Sequence, residues 1–167
     1  MIHEVTGDIL LTRAQAIAHG VAPHDHFDRG LALSLRQDWP AMYKDFRHYC
    51  HQSNPATGTL WAWAGVGGRR VLCLFTQQPV PEGGGHPGRA TLANVNHALH
   101  ALRNHALSEK LTSLALPKLA TGVGGLKWEE VQPFVRNQLG DLSIPVFLYT
   151  TFHKGVQAAE ELPADKK

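Results

Sequence analysis

Thr112-Ser-Leu-Ala-Leu-Pro-Lys-Leu-Ala-Thr-Gly-Val-Gly-Gly-Leu-Lys-Trp-Glu-Glu-Val131 is the stretch on which the reading of this chain turns. Leu114 to Leu116 is a short apolar run, the mark of a buried strand. Thr121, Gly122, Gly124 and Gly125 then make a glycine loop, and Trp128-Glu-Glu-Val131 opens a helical pattern. Strand, glycine loop and helix in this order is how α/β proteins hold phosphate. Glycines let backbone N–H groups approach the anion, and the free donors at a helix start favour negative charge. On spacing alone, an ordinary strand-to-helix turn fits as well. The loop lacks the Lys-Ser/Thr end of a P-loop, and its third glycine directly follows the second, which breaks the dinucleotide fingerprint.

The rest of the chain supplies an α/β frame around this loop. Residues 2–5 and 16–19 read as strands, the second opening into Pro23-His-Asp-His-Phe-Asp-Arg-Gly30. A helical pattern follows, with Asp28 suited to its N-cap and Pro40 starting a second segment. Residues 59–64 and 70–75 flank Gly65-Val-Gly-Gly68 as a hairpin. Residues 79–88 form a Pro/Gly loop, and from Thr91 the pattern is helical again. A helix over 128–139 and a strand over 145–150 complete the core. Strands interleaved with helices predict a three-layer α/β/α domain with a mixed sheet of about six strands. The domain is expected to span residues 1–155, with a polar tail, residues 156–167, frayed at its end.

Composition narrows the function classes. With 167 residues, 43% hydrophobic and 18% charged, the chain fits one soluble α/β domain. No apolar run approaches the roughly 18–20 residues of a membrane span. The first residues lack a signal-peptide layout, and Cys50 and Cys73 are the only cysteines, so a cytoplasmic setting is expected; a monomer is expected as well. A net charge of +2 is too small to imply nucleic-acid binding by itself. Eleven histidines stand out. His24 with His26, His48 with Cys50 and His51, and His97 with His100 resemble ligand pairs, but none reaches the three or four ligands of a zinc site. No metal and no cofactor are expected.

Three blocks then line up: Val5-Thr-Gly-Asp-Ile-Leu10, Ile17-Ala-His-Gly-Val21 running on to Gly30-Leu-Ala32, and Leu116 to Trp128. In this order and spacing the chain resembles a macrodomain, the ADP-ribose-binding module. Within that family it is most similar to the branch of terminal ADP-ribose glycohydrolases and the fungal ADP-ribose 1″-phosphate phosphatase. The resemblance assigns Asp8 and Ile9 to adenine, and a carboxylate suits an adenine amine. Asp8 capping a turn is compatible with this. Gly20, Val21 and Gly30 are expected to line the ligand. Thr121, Gly122, Val123, Gly124, Gly125 and Leu126 are expected to hold the pyrophosphate by backbone donors. Phe152, past the last strand, either stacks on adenine or simply packs.

The chain departs from the glycohydrolase pattern at three places. Gln77 stands near the position of that branch's lysine, so a lysine nucleophile is not expected and Gln77 is expected to add little to a rate. Gly124 aligns with its loop aspartate. Where the family has glycines before the first helix, this chain reads Phe27-Asp28-Arg29-Gly30. Asp28, and Asp25 with His24 and His26, are thereby expected near the distal ribose, and His19 aligns with the histidine of the phosphatase. A carboxylate and a near-neutral histidine can activate water and protonate a leaving group. Each also has a plain structural role: Asp28 as an N-cap, His19 as a core histidine, His24 and His26 as solvated loop residues.

The implied function is a hydrolase acting at the distal ribose of ADP-ribose, on a 1″-phosphate or on an ADP-ribosylated protein or nucleic acid. The alternative is a non-catalytic ADP-ribose reader. An NAD-dependent enzyme is disfavoured, because Asp141 precedes the last strand instead of ending it.

Overall fold

Apolar residues along the strands occupy both faces in alternation, as in a sheet covered on both sides. In the computed structural model, which describes residues 1–163, six strands form one sheet in the order β1-β6-β5-β2-β4-β3. They are β1 (Ile2–Gly7), β2 (Ala16–Val21), β3 (Leu60–Ala64), β4 (Arg70–Phe75), β5 (Leu114–Pro117) and β6 (Val146–Phe152). Only β3 runs antiparallel, and it forms with β4 the hairpin expected around Gly65 to Gly68. Four helices cover the sheet: α1 (Gly30–Asp38), α2 (Pro40–Ser53), α3 (Leu92–Ser108) and α4 (Trp128–Leu139). Pro40 opens α2 as its first residue, where a missing N–H costs nothing.

Alternation divides the core in two. Ala16, Ala18, Leu72, Leu74, Leu114 and Leu116 pack beneath α3 and α4, with Val95, Leu99, Leu102, Val131 and Val135. Ile17, Val21, Val71, Phe75, Ala115 and Phe147 face the other way, against Leu35, Met42, Phe46 and Cys50. The result is the expected three-layer mixed-sheet architecture. Among the described residues, no helix is long and apolar enough to cross a membrane.

Three expectations change. β2 runs on to Val21, two residues past His19, because β4 pairs with it through Val21↔Phe75. Asp28 does not cap α1: the N-cap is Arg29, without any side-chain cap bond. The polar tail is docked over the part described. Val156 O accepts from Asp8 N at 2.7 Å, and Ala158 and Glu160 are buried. The Glu160 carboxylate accepts from the hydroxyls of Thr12 and Tyr149 and from Arg13 N. A local polar composition hid these long-range bonds. Residues 164–167 lie outside the described residues.

Candidate functional site

Parallel strands bring their carboxyl ends to one side, and ligands of α/β sheets bind there. The ends of β1, β2, β5 and β6 open into a cleft between residues 22–29 on one wall and residues 118–127 on the other. It consists of two hollows, of about 270 Å³ and 510 Å³, which share Gly30, Leu31 and Pro117.

The glycine loop forms one wall of the smaller hollow. Within the loop, Gly125 N donates to Gly122 O and Leu126 N to Ala120 O. The amides of Thr121, Gly122, Val123 and Gly124 donate to no protein acceptor among the described residues. A Cβ on Gly124 would sit 2.6 Å from Ala120 O, so the tight turn requires glycine there. A Cβ on Gly122 meets nothing within 4 Å. Ala120, at φ 62°, takes the left-handed conformation that curls the loop.

The start of α1 faces this loop across the cleft. Its first intrahelical donor is Leu33 N, to Arg29 O, leaving the amides of Gly30, Leu31 and Ala32 free at an uncapped helix start. All three residues line the hollow. Two sets of free N–H groups thus converge on one space, an arrangement suited to an oxyanion. The sequence does not single out Leu31 and Ala32 as ligand contacts, because Asp28 reads there as the N-cap and hides the uncapped start.

The wall over residues 22–29 is organised by Asp25. Its Oδ2 accepts from Ala22 N at 3.0 Å and its Oδ1 from Phe27 N at 2.9 Å. These bonds hold His24 and Phe27 at positive φ, 62° and 52°, which side chains seldom adopt. Phe27 is completely buried, edge-on to His19 and packed on Phe46. The buried Asp25 therefore acts as a brace, with both oxygens engaged. Asp28 follows the turn, exposed, lining the small hollow and accepting no hydrogen bond among the described residues. Freed from capping, its carboxylate is open to the hollow.

His19 differs from expectation. It lies at the base of the small hollow, but its side chain is 2% exposed and its Nε2 sits 3.3 Å from Cys73 Sγ. Burial lowers its pKa to about 4, so near neutral pH the ring carries no charge. The near-neutral proton donor anticipated from sequence is absent at this position. The physical cause is β2 alternation, which sends residue 19 into the core beside Ile17 and Val21.

The larger hollow gathers Asp8, Ile9, Tyr149, Phe152 and Lys154. Asp8 Oδ1 accepts from Leu10 N and Oδ2 from Gly155 N, both at 3.0 Å. Turn capping and an open face on the cleft thus coexist. Phe152 is 67% exposed at the strand end and lines this hollow. Lys154 and, in the smaller hollow, Lys118 add positive charge that sequence reading did not single out.

Gln77 closes the smaller hollow where β4 ends. Around the cleft, Arg36 Nη1 donates to His26 O, Arg47 Nη1 lies 3.2 Å from His26 Nδ1, and Arg29, which itself lines the smaller hollow, reaches His86 at 3.4 Å. His24 Nε2 meets Asn54. His24 and His26 thus bond to neighbours, and no group of three possible metal ligands comes together among the described residues.

Comparison with known proteins agrees with this geometry. The chain is 25% identical over 171 residues to a DNA ADP-ribosyl transferase-DNA ADP-ribosyl glycohydrolase fusion protein of Thermosipho africanus, covering 95% of this chain and 44% of that protein. It is 25% identical over 162 residues to an ADP-ribose 1″-phosphate phosphatase of Chaetomium globosum, covering 86% of this chain and 88% of the other. The chain spans about half the length, or less, of the first curated relatives it matches. Its fold superposes on Thermosipho africanus DarTG, solved in complex with ADP-ribose, with a TM-score of 0.80 at 21% identity, over 99% of this chain and 44% of that one. A family model described as Macro domain matches residues 18–135, the segment that holds both walls of the smaller hollow. The chain therefore belongs to the Macro domain family.

Proposed function

We propose that the cleft binds ADP-ribose and that the protein hydrolyses a bond at the distal ribose. The observation that carries this reading is the pair of joined hollows with free amides between them. Adenine fits the larger hollow, with Asp8 accepting from its amine and Phe152 against its face. The pyrophosphate fits between the loop amides of residues 122–124 and the α1 start. The distal ribose then reaches the far end of the smaller hollow, beside Asp28. The names of the relatives, glycohydrolases and a phosphatase that act on ADP-ribosyl groups, favour the same ligand and hydrolysis.

Chemistry falls to Asp28. Its carboxylate accepts a proton from water while that water attacks the anomeric carbon or an attached phosphorus; the bond to the leaving group breaks and the leaving group departs with its electron pair. Asp25 acts by holding the turn that presents Asp28. His19 packs under that turn through Phe27 and positions it as an uncharged ring. The leaving group is a phosphate, or a protein or nucleic-acid acceptor. Arg29, which lines the smaller hollow, and Arg36 and Arg47 outside it suit an acceptor bearing negative charge.

A second reading, a reader that binds without turnover, is favoured by one specific observation. Neither His19 nor Asp25 is free to act as an acid, so the smaller hollow presents a base without a partner. Turnover assays on ADP-ribose 1″-phosphate and on ester-, base- and protein-linked ADP-ribose separate the two. Hydrolysis of at least one that is lost in Asp28→Asn supports the enzyme. Binding of ADP-ribose with no turnover of any establishes the reader.

A further inference from the structure

A buried polar side chain whose hydrogen bonds are half made, and which faces a cavity, marks where a ligand completes them. Gln77 is such a residue. It is 6% exposed and lines the smaller hollow together with Asp28. Its backbone is clamped on several sides: its N–H approaches Val21 O, its carbonyl accepts from Thr57 Oγ1, and it bridges to Ala90. Its side-chain Nε2 donates to Gly88 O at 3.2 Å. A backbone carbonyl can only accept, so this bond fixes which end of the amide is which. Oε1 must point away from Gly88. That oxygen accepts no bond among the described residues. It is also not sealed from solvent, since Thr76 Oγ1 is the only unpartnered side-chain atom buried out of reach among them.

We propose that Gln77 selects ligands carrying the distal ribose, its Oε1 accepting a hydrogen bond from a hydroxyl of that sugar. This rests on the ADP-ribose reading above. An amide oxygen only accepts, and among the parts of the ligand only the sugar offers hydroxyl donors at this end of the cleft. The pyrophosphate is all acceptor and is directed to the free amides instead. A preformed acceptor left unpaired penalises a ligand that lacks the hydroxyl, which is how polar sites discriminate strongly. Asp28 then holds water and Gln77 holds the sugar, so the anomeric carbon is presented from one side. Gln77 is thus a positioning residue with no proton to transfer. Its lack of an ionisable group keeps its effect on the chemical step small, and its effect falls on selection.

Calorimetric titration of the full chain with ADP-ribose, ADP and the 2″-deoxy and 3″-deoxy forms of ADP-ribose tests this. The wild type should bind ADP-ribose about tenfold more tightly than ADP and lose about fivefold or more on one of the deoxy forms. Gln77→Met, of similar length without polar atoms, should bind ADP as the wild type does while losing the preference for ADP-ribose and for the hydroxyl. Unchanged ADP affinity also certifies that the variant is folded. Equal wild-type affinity for ADP-ribose and both deoxy forms overturns the proposal without any variant. So does a Gln77→Met protein that keeps the preference, or one that loses ADP and ADP-ribose alike. A wild type that binds neither ADP nor ADP-ribose overturns the ADP-ribose reading itself, and this inference with it.

Discussion

Burial decides what each ionisable residue of the cleft can do. His19 titrates near 6.5 in an unfolded chain and near 4 in the fold, so between those values the unfolded chain holds the extra proton. Its contribution to stability is complete above about pH 6.5, falls as pH drops through the interval, and levels off below about pH 4. The loss is about 3 kcal/mol. Urea unfolding of the wild type and His19→Leu between pH 7.5 and 4 measures it. The wild type should lose roughly that amount relative to the variant, and a difference independent of pH contradicts the buried neutral ring. Asp28, by contrast, is exposed and unbonded. Asp28→Asn should cut turnover by about two to four orders of magnitude while ADP-ribose affinity stays within a few fold. Equal rates would leave Asp28 outside the chemistry. Asp8→Ala should weaken ADP-ribose by about 1–3 kcal/mol and erase the preference for adenosine over inosine. An undiminished preference would place adenine elsewhere.

At the scale of elements, the glycine loop and the C-terminal segment carry separate tests. A carboxylate in the loop should oppose the pyrophosphate, but Gly124 is the wrong place to put it. A Cβ there collides with Ala120 O, so Gly124→Glu reshapes the loop as well as charging it. Gly122 has open space, and Gly122→Glu should abolish ADP-ribose binding with the melting temperature nearly unchanged. Retained affinity in a folded Gly122→Glu protein would remove the loop from the site. The segment after β6 ties down the larger hollow through Gly155 N to Asp8 and through the buried Glu160. Glu160→Ala leaves the hydroxyls of Thr12 and Tyr149 and the amide of Arg13 without their acceptor, a loss of about 2–4 kcal/mol. Chemical unfolding reads this directly, and a change below about 0.5 kcal/mol would show the segment to be loosely held. Strand β5, the loop and α4 were legible in the sequence because apolar run, glycines and helical period lie side by side along the chain. Glu160 was not, because its partners Thr12 and Arg13 are nearly 150 residues distant and nothing local marks a buried carboxylate.

Across the whole molecule, the alternation of residues on β2, β4 and β5 specifies a sheet covered on both faces, and the same alternation sets the fate of site residues. His19 was legible as a site position from its motif, yet its inward direction follows from pairing with β4 on one side and β5 on the other. Asp28 was legible as a departure from glycine, but its freedom follows from Phe27 turning into the core and delaying α1 to Gly30. The free amides of Leu31 and Ala32 follow from the same delay. What the sequence withheld is therefore the direction of side chains and the exact start of a helix, which long-range packing determines. The joined hollows make a graded prediction about ligands. ADP-ribose fills both, ADP fills the larger one and the anion site, and NAD forces its nicotinamide against Asp28 and Gln77. Calorimetric titration of the wild-type chain is the most direct measurement of this claim. ADP-ribose should bind at about −7 to −9 kcal/mol, a micromolar dissociation constant, with ADP weaker and NAD weaker still. No detectable heat with ADP-ribose, or NAD binding as tightly as ADP-ribose, would contradict it.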